Sequence, residues 1–142
     1  MKVLLGVTGG IAAYKAGDLI RMLVRAGHHV RCCLTDAGSR FITPLTLATL
    51  SGEPCFGANP EYHEWRPNPR VEHVDLARWA DILAVVPATA DIIGKTANGL
   101  ADDLLSTLLL AAECKVLWAP AMNRAMWGHP AVQKNIAVLL GY

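Results

Sequence analysis

The 142-residue sequence has almost no net charge and few charged side chains. Thirteen Lys and Arg residues face 12 Asp and Glu residues, and charged residues make up 18% of the chain. No block of Lys or Arg forms the basic stripe with which proteins bind a nucleic-acid backbone. No apolar run approaches the roughly 18–20 residues that a membrane-spanning helix needs. These absences argue against nucleic-acid binding and against a transmembrane protein.

Cysteine is present, but in no pattern that binds metal. Cys32, Cys33, Cys55 and Cys114 include no C-x-x-C pair, and no histidine stands at zinc-ligand spacing from them. We therefore expect no metal site, and reduced thiols in a cytoplasmic protein. The amino terminus also lacks the apolar segment and cleavage site of a secretory signal.

Hydrophobic residues, in contrast, are abundant at 53% of the chain. The length corresponds to one domain, and this composition supplies enough apolar side chains for a sizeable core. The excess predicts apolar surface that a partner subunit or a flat cofactor covers.

Short apolar runs alternate with amphipathic segments along the chain, which is typical of a parallel sheet with right-handed crossovers. The sequence predicts a single α/β domain with a doubly wound parallel sheet, a three-layer sandwich of the flavodoxin or Rossmann type. Strands are predicted at 3–7, 29–34, 81–86 and 115–119, and one long loop at 53–70. Helices are predicted at 11–25, 41–50, 73–80, 88–112 with a break near Gly99, and 131–140.

Each predicted strand is followed by a short segment of glycine, hydroxyl, proline or amide residues. Because ligands of doubly wound sheets bind beyond the carboxyl ends of the strands, we expect a site where these segments meet. The segments are Thr8-Gly9-Gly10, Thr35-Asp36, Pro87-Ala88-Thr89-Ala90 and Pro120-Ala121-Met122-Asn123.

Gly9 and Gly10 open the first predicted helix. Glycines there let a phosphate approach the backbone N–H groups at the positive end of the helix. The alternative is a tight turn that needs a positive φ. The spacing from Gly6 fits neither the dinucleotide fingerprint nor the Walker A loop. Asp36 stands where an NAD ribose is often bound, but one glycine turn favours a mononucleotide with a single phosphate.

Several polar residues near these segments have two interpretations. Thr35 and Thr89 either offer hydroxyls to a ligand or cap the turns that follow them. Asn123 either binds a carboxylate or caps a helix, and Met126 near it is typical of packing. His73 lies between the long loop and an apolar helical turn, where an imidazole near neutral pKa can move a proton. A lone histidine is nevertheless more often structural.

Five segments of the chain carry a specific resemblance. They are GVTGGIAAYK at 6–15, FITPL at 41–45, HVDLARWAD at 73–81, PATA at 87–90 and PAMNRAMW at 120–127. In this order they resemble the family of flavin-containing cysteine decarboxylases, and most closely its coenzyme A branch, the phosphopantothenoylcysteine decarboxylases. The resemblance covers almost the whole chain, so residues 1–142 are identified as one FMN-binding decarboxylase domain.

The resemblance implies a cytoplasmic FMN enzyme that forms a homotrimer or a multiple of trimers, with the flavin near a subunit interface. It implies that His73 is the catalytic base and that Asn123, beside Met126, holds the carboxylate of a small-molecule substrate. The residues that it assigns to FMN are Gly9, Gly10, Ile11, Thr35, Pro87, Ala88, Thr89 and Ala90.

The implied reaction removes CO2 from 4′-phospho-N-pantothenoylcysteine and gives 4′-phosphopantetheine. The nitrogen of this substrate is an amide that forms no Schiff base with pyridoxal phosphate, so another electron acceptor is needed. Flavin oxidation of the thiol-bearing carbon gives a thioaldehyde, whose C=S group lies β to the carboxylate. CO2 then leaves as from a β-keto acid, and the resulting enethiolate is reduced.

The sequence departs from the family's pattern at two places. Asp91 stands where the family has an amide after its Pro-Ala-Ser-Ala segment. The coenzyme A branch also continues into a Cys-containing flap that donates a proton in the last reduction, and none of the four cysteines matches that position. We therefore expect the isolated chain to bind FMN and to release or trap the enethiol.

Three other functions remain as alternatives at this point. One is a peptidyl-cysteine decarboxylase of lanthipeptide maturation, which needs the same flavin, His73 and Asn123 and stops at the enethiol. Another is a flavin-binding regulatory subunit without catalysis, against which the presence of both residues argues. The third is an NAD-linked reductase, which the glycine spacing disfavours.

Overall fold

A parallel β-sheet forms the centre of the protein, for which a computed structural model describes residues 1–58 and 72–142. The described strands are β1 (Lys2–Val7), β2 (His29–Leu34), β3 (Cys55–Gly57), β4 (Ile82–Ala88) and β5 (Lys115–Pro120). Their order in the sheet is β3-β2-β1-β4-β5, and every adjacent pair is parallel. The predicted single α/β domain with a doubly wound sheet is confirmed.

The helices lie on both faces of this sheet. They are α1 (Lys15–Arg25), which follows a 3-10 turn at Ile11–Tyr14, α2 (Pro44–Ser51), α3 (Glu72–Trp79), α4 (Ala90–Ala97), α5 (Leu104–Ala111), α6 (Arg124–Trp127) and α7 (Pro130–Leu140). In the described ranges, no helix combines the length and apolar content required to cross a membrane.

The sheet separates two hydrophobic cores, because successive side chains of a strand point to opposite faces. Leu4 and Cys33 belong to the core beneath α3, α4 and α5, whereas Leu5 and Cys32 belong to the core beneath α1 and α2. All four side chains are fully buried. Adjacent Cys32 and Cys33 therefore face opposite sides of the sheet, and burial on both faces explains why the inner strands read as continuous apolar runs.

Helix boundaries follow local signals in the sequence. Thr43 caps α2 by accepting a hydrogen bond from the N–H of Thr46, and Pro44 occupies the first helical position, where its missing N–H costs nothing. Gly27, just after α1, has a φ of +81°, and Gly52, after α2, has a φ of +71°. Glycine ends these helices because it adopts left-handed backbone without steric cost.

One predicted loop is wrong in part. Residues 53–70 were expected to form a single loop, but β3 lies within that range and pairs with β2 at the edge of the sheet. The strand was missed because it has only three residues, too few for a recognisable hydrophobic pattern. The rest of the predicted loop, from residue 59 on, lies outside the described residues.

One strand boundary near the centre of the chain also differs from expectation. Pro87 does not end the third predicted strand, since β4 continues through it to Ala88. Pairing with β5 shifts register between Val85 and Ala88, and at such an irregularity the missing N–H of proline breaks no ladder bond. The break predicted near Gly99 is confirmed, because the segment 88–112 divides into α4 and α5 with Gly99 at a φ of +67° between them.

Candidate functional site

A cavity of about 1010 Å³ lies at the carboxyl ends of β1, β2, β4 and β5. Its position is the one expected for a doubly wound sheet. The residues that line it are Thr8, Gly9, Gly10, Ile11, Ala12, Thr35, Asp36, Ala37, Thr89, Ala90, Asp91, Ile92, Lys95, Asp102, Asp103, Ala121, Met122, Asn123 and Met126.

The turn after β1 has a glycine at position 9 because a larger side chain would not fit there, and not because the backbone is left-handed. Neither Gly9 nor Gly10 has a positive φ, so the tight-turn interpretation was wrong. A Cβ built on Gly9 would stand 2.5 Å from the Cβ of Ala37, whereas one built on Gly10 meets nothing closer than 3.6 Å. Gly9 therefore allows the turn after β1 to approach the segment after β2.

The 3-10 turn that follows brings backbone N–H groups to the cavity. Ile11 and Ala12 line the cavity and stand in the first turn of the helical segment. The N–H groups of a first turn have no intrahelical acceptor, so they are available to an anion. The N–H of Gly10 is already used, since it donates to the carbonyl oxygen of Thr8 at 3.0 Å.

Thr8 is a cavity residue that the sequence analysis did not assign. Its hydroxyl donates to the carbonyl oxygen of Pro87 at 2.6 Å, and it accepts from the N–H of Thr89 at 3.3 Å. The side chain is buried at 2% exposure. The hydroxyl thus joins the glycine turn to the turn after β4. The signal in the sequence was its position directly before Gly9, but its partners are about 80 residues away.

Thr35 and Thr89 cap the turns that follow them, which confirms one of the two interpretations that the sequence allowed; binding of a ligand by their hydroxyls stays a prediction. Thr35 Oγ1 accepts from the N–H of Gly38 at 3.0 Å, and Thr89 Oγ1 accepts from the N–H of Ile92 at 3.5 Å as the cap of α4. Both residues also line the cavity. Because capping fixes each side chain, both hydroxyls have a preset orientation.

Asn123 likewise combines a cap with a cavity position. Its Oδ1 accepts from the N–H of Met126 at 2.8 Å, which caps α6. The amide orientation follows from this hydrogen bond, because the oxygen must be the acceptor. The Nδ2 group is therefore the part of the side chain that can donate to a ligand. Met126 lines the same cavity and is 45% exposed.

A lysine and two aspartates form an ion-pair cluster in the cavity wall that the sequence analysis missed. Lys95 Nζ lies 3.2 Å from Asp91 Oδ2 and 3.1 Å from Asp102 Oδ2. Hydrogen bonds to Asp102 and Asp91 raise the pKa of Lys95, and Lys95 lowers the pKa of Asp102. The Asp91–Lys95 spacing of four residues was the available signal; Asp102 lies beyond the end of α4.

Three residues assigned from the sequence are not in the cavity wall. Pro87 and Ala88 belong to β4 and act through their carbonyl oxygens, which accept from Thr8 and from the N–H of Ala121. His73 lies in the first turn of α3, half buried, on a helix that packs against α5. The roles assigned to these three residues stay predictions.

The described residues contain no group of three or more His, Cys, Asp or Glu side chains arranged to hold a metal ion. What the cavity offers instead is a wall of small and apolar side chains, with hydroxyls, an amide, first-turn N–H groups and the charged side chains of one lysine and four aspartates. Such a wall suits an organic ligand with a flat ring and one anionic group.

Comparisons with known proteins agree with this chemistry. A family model described as Flavoprotein matches residues 1–141. The chain is 50% identical over 137 residues to the coenzyme A biosynthesis bifunctional protein CoaBC of Bacillus subtilis (strain 168), covering 96% of this chain and 33% of that protein. It is 47% identical over 139 residues to CoaBC of Mycobacterium tuberculosis (strain ATCC 25618 / H37Rv), covering 97% and 32%. The chain thus spans about a third of the length of these curated relatives.

Solved structures share the fold over nearly the whole chain. The FMN-dependent cysteine decarboxylase SpaF superposes with a TM-score of 0.90 at 34% identity, covering 99% of this chain and 79% of that one. A C175S mutant of PPC decarboxylase complexed with pantothenoylaminoethenethiol superposes with a TM-score of 0.87 at 31% identity, covering 99% and 77%.

Proposed function

This chain belongs to the flavoprotein family, and on that premise we propose that it is an FMN-dependent decarboxylase of 4′-phospho-N-pantothenoylcysteine in coenzyme A biosynthesis. The observation that carries the proposal is the cavity at the strand ends, which includes Asn123 and the glycine turn. The similarity to CoaBC proteins at 47–50% identity supports the substrate. We place the enzyme in the cytoplasm as part of this proposal.

The cavity wall fits FMN in size and in chemistry. A volume of about 1010 Å³ accommodates a mononucleotide together with a small substrate. Ile11 would hold the phosphate through its backbone N–H, with Gly9 and Gly10 forming the close turn before it, while Thr35 and Thr89 offer fixed hydroxyls. Ala90 would lie against the cofactor, and Pro87 and Ala88 would support this turn from β4. When bound, FMN supplies a reversible two-electron acceptor for the thiol-bearing carbon.

Asn123 would orient the substrate. Its Nδ2 group is left to donate because Oδ1 caps α6, and a donor at this point suits a carboxylate. A carboxylate held there keeps the breaking C–C bond in one orientation, which lowers the barrier to loss of CO2. Met126 adds an apolar contact beside it.

His73 would take a proton from the substrate during oxidation. An imidazole is suited to this step because its ordinary pKa lies near neutral pH.

We further propose that the enzyme is a homotrimer, in which a neighbouring subunit completes the site. Ile11, Met126 and Trp127 support this, because they are 78%, 45% and 44% exposed beside the cavity, and apolar side chains at such a position indicate a covered surface.

A peptidyl-cysteine decarboxylase is the second candidate. It is favoured by the superposition on the peptidyl-cysteine decarboxylase EpiD, which has a TM-score of 0.85 at 28% identity. The curated CoaBC relatives argue for the smaller substrate, since their identity is higher than the 28% of EpiD. A flavin-binding subunit without catalysis is the less favoured reading, because both His73 and Asn123 are present.

The test is to purify the chain, identify the released ligand by mass, and measure CO2 from two substrates. We expect FMN, and faster CO2 release from 4′-phospho-N-pantothenoylcysteine than from a peptide ending in cysteine. Mass analysis of the thiol product distinguishes the enethiol from 4′-phosphopantetheine. Faster turnover of the peptide would support the second candidate.

The matched control is His73→Asn, which should keep the flavin absorbance and lose CO2 release. CO2 release at the rate of the unaltered protein would remove His73 from the reaction. A colourless protein that FMN does not reconstitute would overturn the proposed function as a whole.

A further inference from the structure

The side chains of the cavity wall carry more negative than positive charge. Lys95 is the single cationic side chain among the described residues that line it. Four carboxylates line the same wall, on Asp36, Asp91, Asp102 and Asp103. These carboxylates oppose negative charge on a ligand in the cavity, and Lys95 is the side chain of the described wall that offsets them.

Lys95 is held in place by its partners. Its ammonium group bridges Asp91 in the first turn of α4 and Asp102 in the segment before α5, at 3.2 and 3.1 Å. The side chain of Lys95 is 24% exposed, compared with 72% for Asp91 and 61% for Asp102. The cation is therefore the more sheltered member, and its charge acts on the cavity through less solvent than the charges of its partners.

Its position also connects two walls of the cavity. Asp102 is within 3.4 Å of the Ser106 hydroxyl, and Ser106 forms a capping box with Asp103 at the start of α5. Ser106 is fully buried. The orientation of Lys95 is thus determined by the same network that fixes the start of α5, and the ammonium group remains charged because both carboxylates raise its pKa.

We propose that Lys95 is the charge-compensating residue of the flavin site, which favours the reduced flavin over the oxidised flavin and so sets the reduction potential. This inference rests on the proposed binding of FMN. Two-electron reduction leaves more negative charge on the flavin when N1 is deprotonated, and charges near the ring tune its electronics. A fixed cation in a partly desolvated wall stabilises that added charge, whereas uncompensated carboxylates oppose it.

The experiment compares Lys95→Met with Lys95→Arg in the flavin-loaded protein. The readouts are the dissociation constants of FMN and of riboflavin, and the midpoint potential measured against a reference dye. For Lys95→Met we expect the affinity for reduced relative to oxidised flavin to fall about tenfold, which corresponds to a potential about 30 mV lower for a two-electron couple. Lys95→Arg keeps the charge, so it should lower the potential by no more than half as much as Lys95→Met does.

A second variant, with an expected change in potential of the opposite sign, keeps the inference testable if Lys95→Met does not fold. Asp102→Asn removes one carboxylate and leaves Lys95 less compensated, so the potential should rise. An unchanged potential in both Lys95→Met and Asp102→Asn would overturn the inference. So would a loss of affinity for FMN that spares riboflavin and leaves the potential unchanged, since Lys95 would then bind the phosphate.

These outcomes are separate from failure of the proposed function. If the unaltered protein binds no flavin, the proposed function is wrong and the potential has no meaning. If it binds FMN and releases CO2 while the Lys95 variants keep its potential, only the role of Lys95 is wrong.

Discussion

Thr8 donates a hydrogen bond of 2.6 Å from its hydroxyl to the carbonyl oxygen of Pro87, which joins segments 79 residues apart in the chain. The same hydroxyl oxygen accepts from the N–H of Thr89. One buried side chain thus satisfies two backbone groups at the base of the cavity, and it fixes the glycine turn relative to the start of α4.

Replacing this hydroxyl should destabilise the protein. Thr8→Val keeps the shape of the side chain but leaves the Pro87 carbonyl and the Thr89 N–H without their partner. We expect a loss of about 1–3 kcal/mol in the free energy of unfolding, the cost of unsatisfied buried polar groups. Thr8→Ser, which keeps the hydroxyl, should lose less. Urea unfolding of both variants checks this, and equal losses would show that the hydroxyl is not the cause.

The two glycines of the turn should respond differently to alanine. In Gly9→Ala the new Cβ would meet Ala37 at 2.5 Å and its backbone carbonyl carbon at 2.9 Å, so the segment after β2 must move. Overpacking of this kind costs about 1–3 kcal/mol. In Gly10→Ala the nearest contact is 3.6 Å and φ is −146°, which any residue adopts.

Gly10→Ala should therefore change unfolding stability by less than about 1 kcal/mol. The measurement is thermal or urea unfolding of the two variants side by side. If Gly10→Ala is as destabilised as Gly9→Ala, the argument from space at Gly9 is wrong.

Two variants of Asn123, to Asp and to Ala, should rank in one order for stability and in the reverse order for activity. Asn123→Asp keeps a capping oxygen for α6, whereas Asn123→Ala loses the cap at a cost of about 1 kcal/mol in stability. For the proposed reaction the order reverses, because Asp places a negative charge against the substrate carboxylate. Loss of a hydrogen bond to a charged group predicts a fall of roughly 10- to 100-fold in kcat/KM for Ala, and a larger fall for Asp.

The measurements are unfolding free energy and CO2 release for each variant. Asn123→Asp activity above that of Asn123→Ala would contradict a role for the amide in holding a carboxylate, while leaving the capping argument intact.

The buried thiols of Cys32 and Cys55 should make the folded protein less stable at alkaline pH. Burial raises the pKa of Cys55 from 9.0 to about 12, and burial together with the neighbouring Cys55 raises the pKa of Cys32. Above about pH 9 the unfolded chain releases these protons while the folded protein keeps them, so unfolding becomes more favourable as pH rises. The stabilisation is complete below that pH and is lost as pH rises toward the folded pKa values.

Each thiol should contribute a slope of about 1.4 kcal/mol per pH unit in this range. Urea unfolding under reducing conditions, at several values above about pH 9, measures the slope. Cys55→Ala removes one of the two groups and should make the slope shallower, even if its stability at neutral pH is lower. An unchanged slope would mean that Cys55 titrates alike in both states.

Local patterns predicted the site's location because strand ends carry recognisable residues. Thr35, Thr89 and Asn123 each lie within three residues of the end of a strand and cap the turn that follows, so their capping and their place in the cavity follow from the same position. Lys95 and Asp102 could not be assigned in this way. Lys95 lies in the second turn of α4 and Asp102 in the segment before α5, and their contact joins two segments whose helices pack side by side.

The sequence by itself determined the alternation of buried strands and amphipathic helices, the parallel sheet, and the edge of the sheet at which the cavity lies. These features depend on side-chain period and on residues next to one another in the chain. Only the tertiary structure decided that β3 extends the sheet, that β4 passes through Pro87, and that Thr8 and Lys95 connect separate walls of the cavity. Such contacts join residues that are distant in the chain, and their energy exists only after the sheet has brought the segments together.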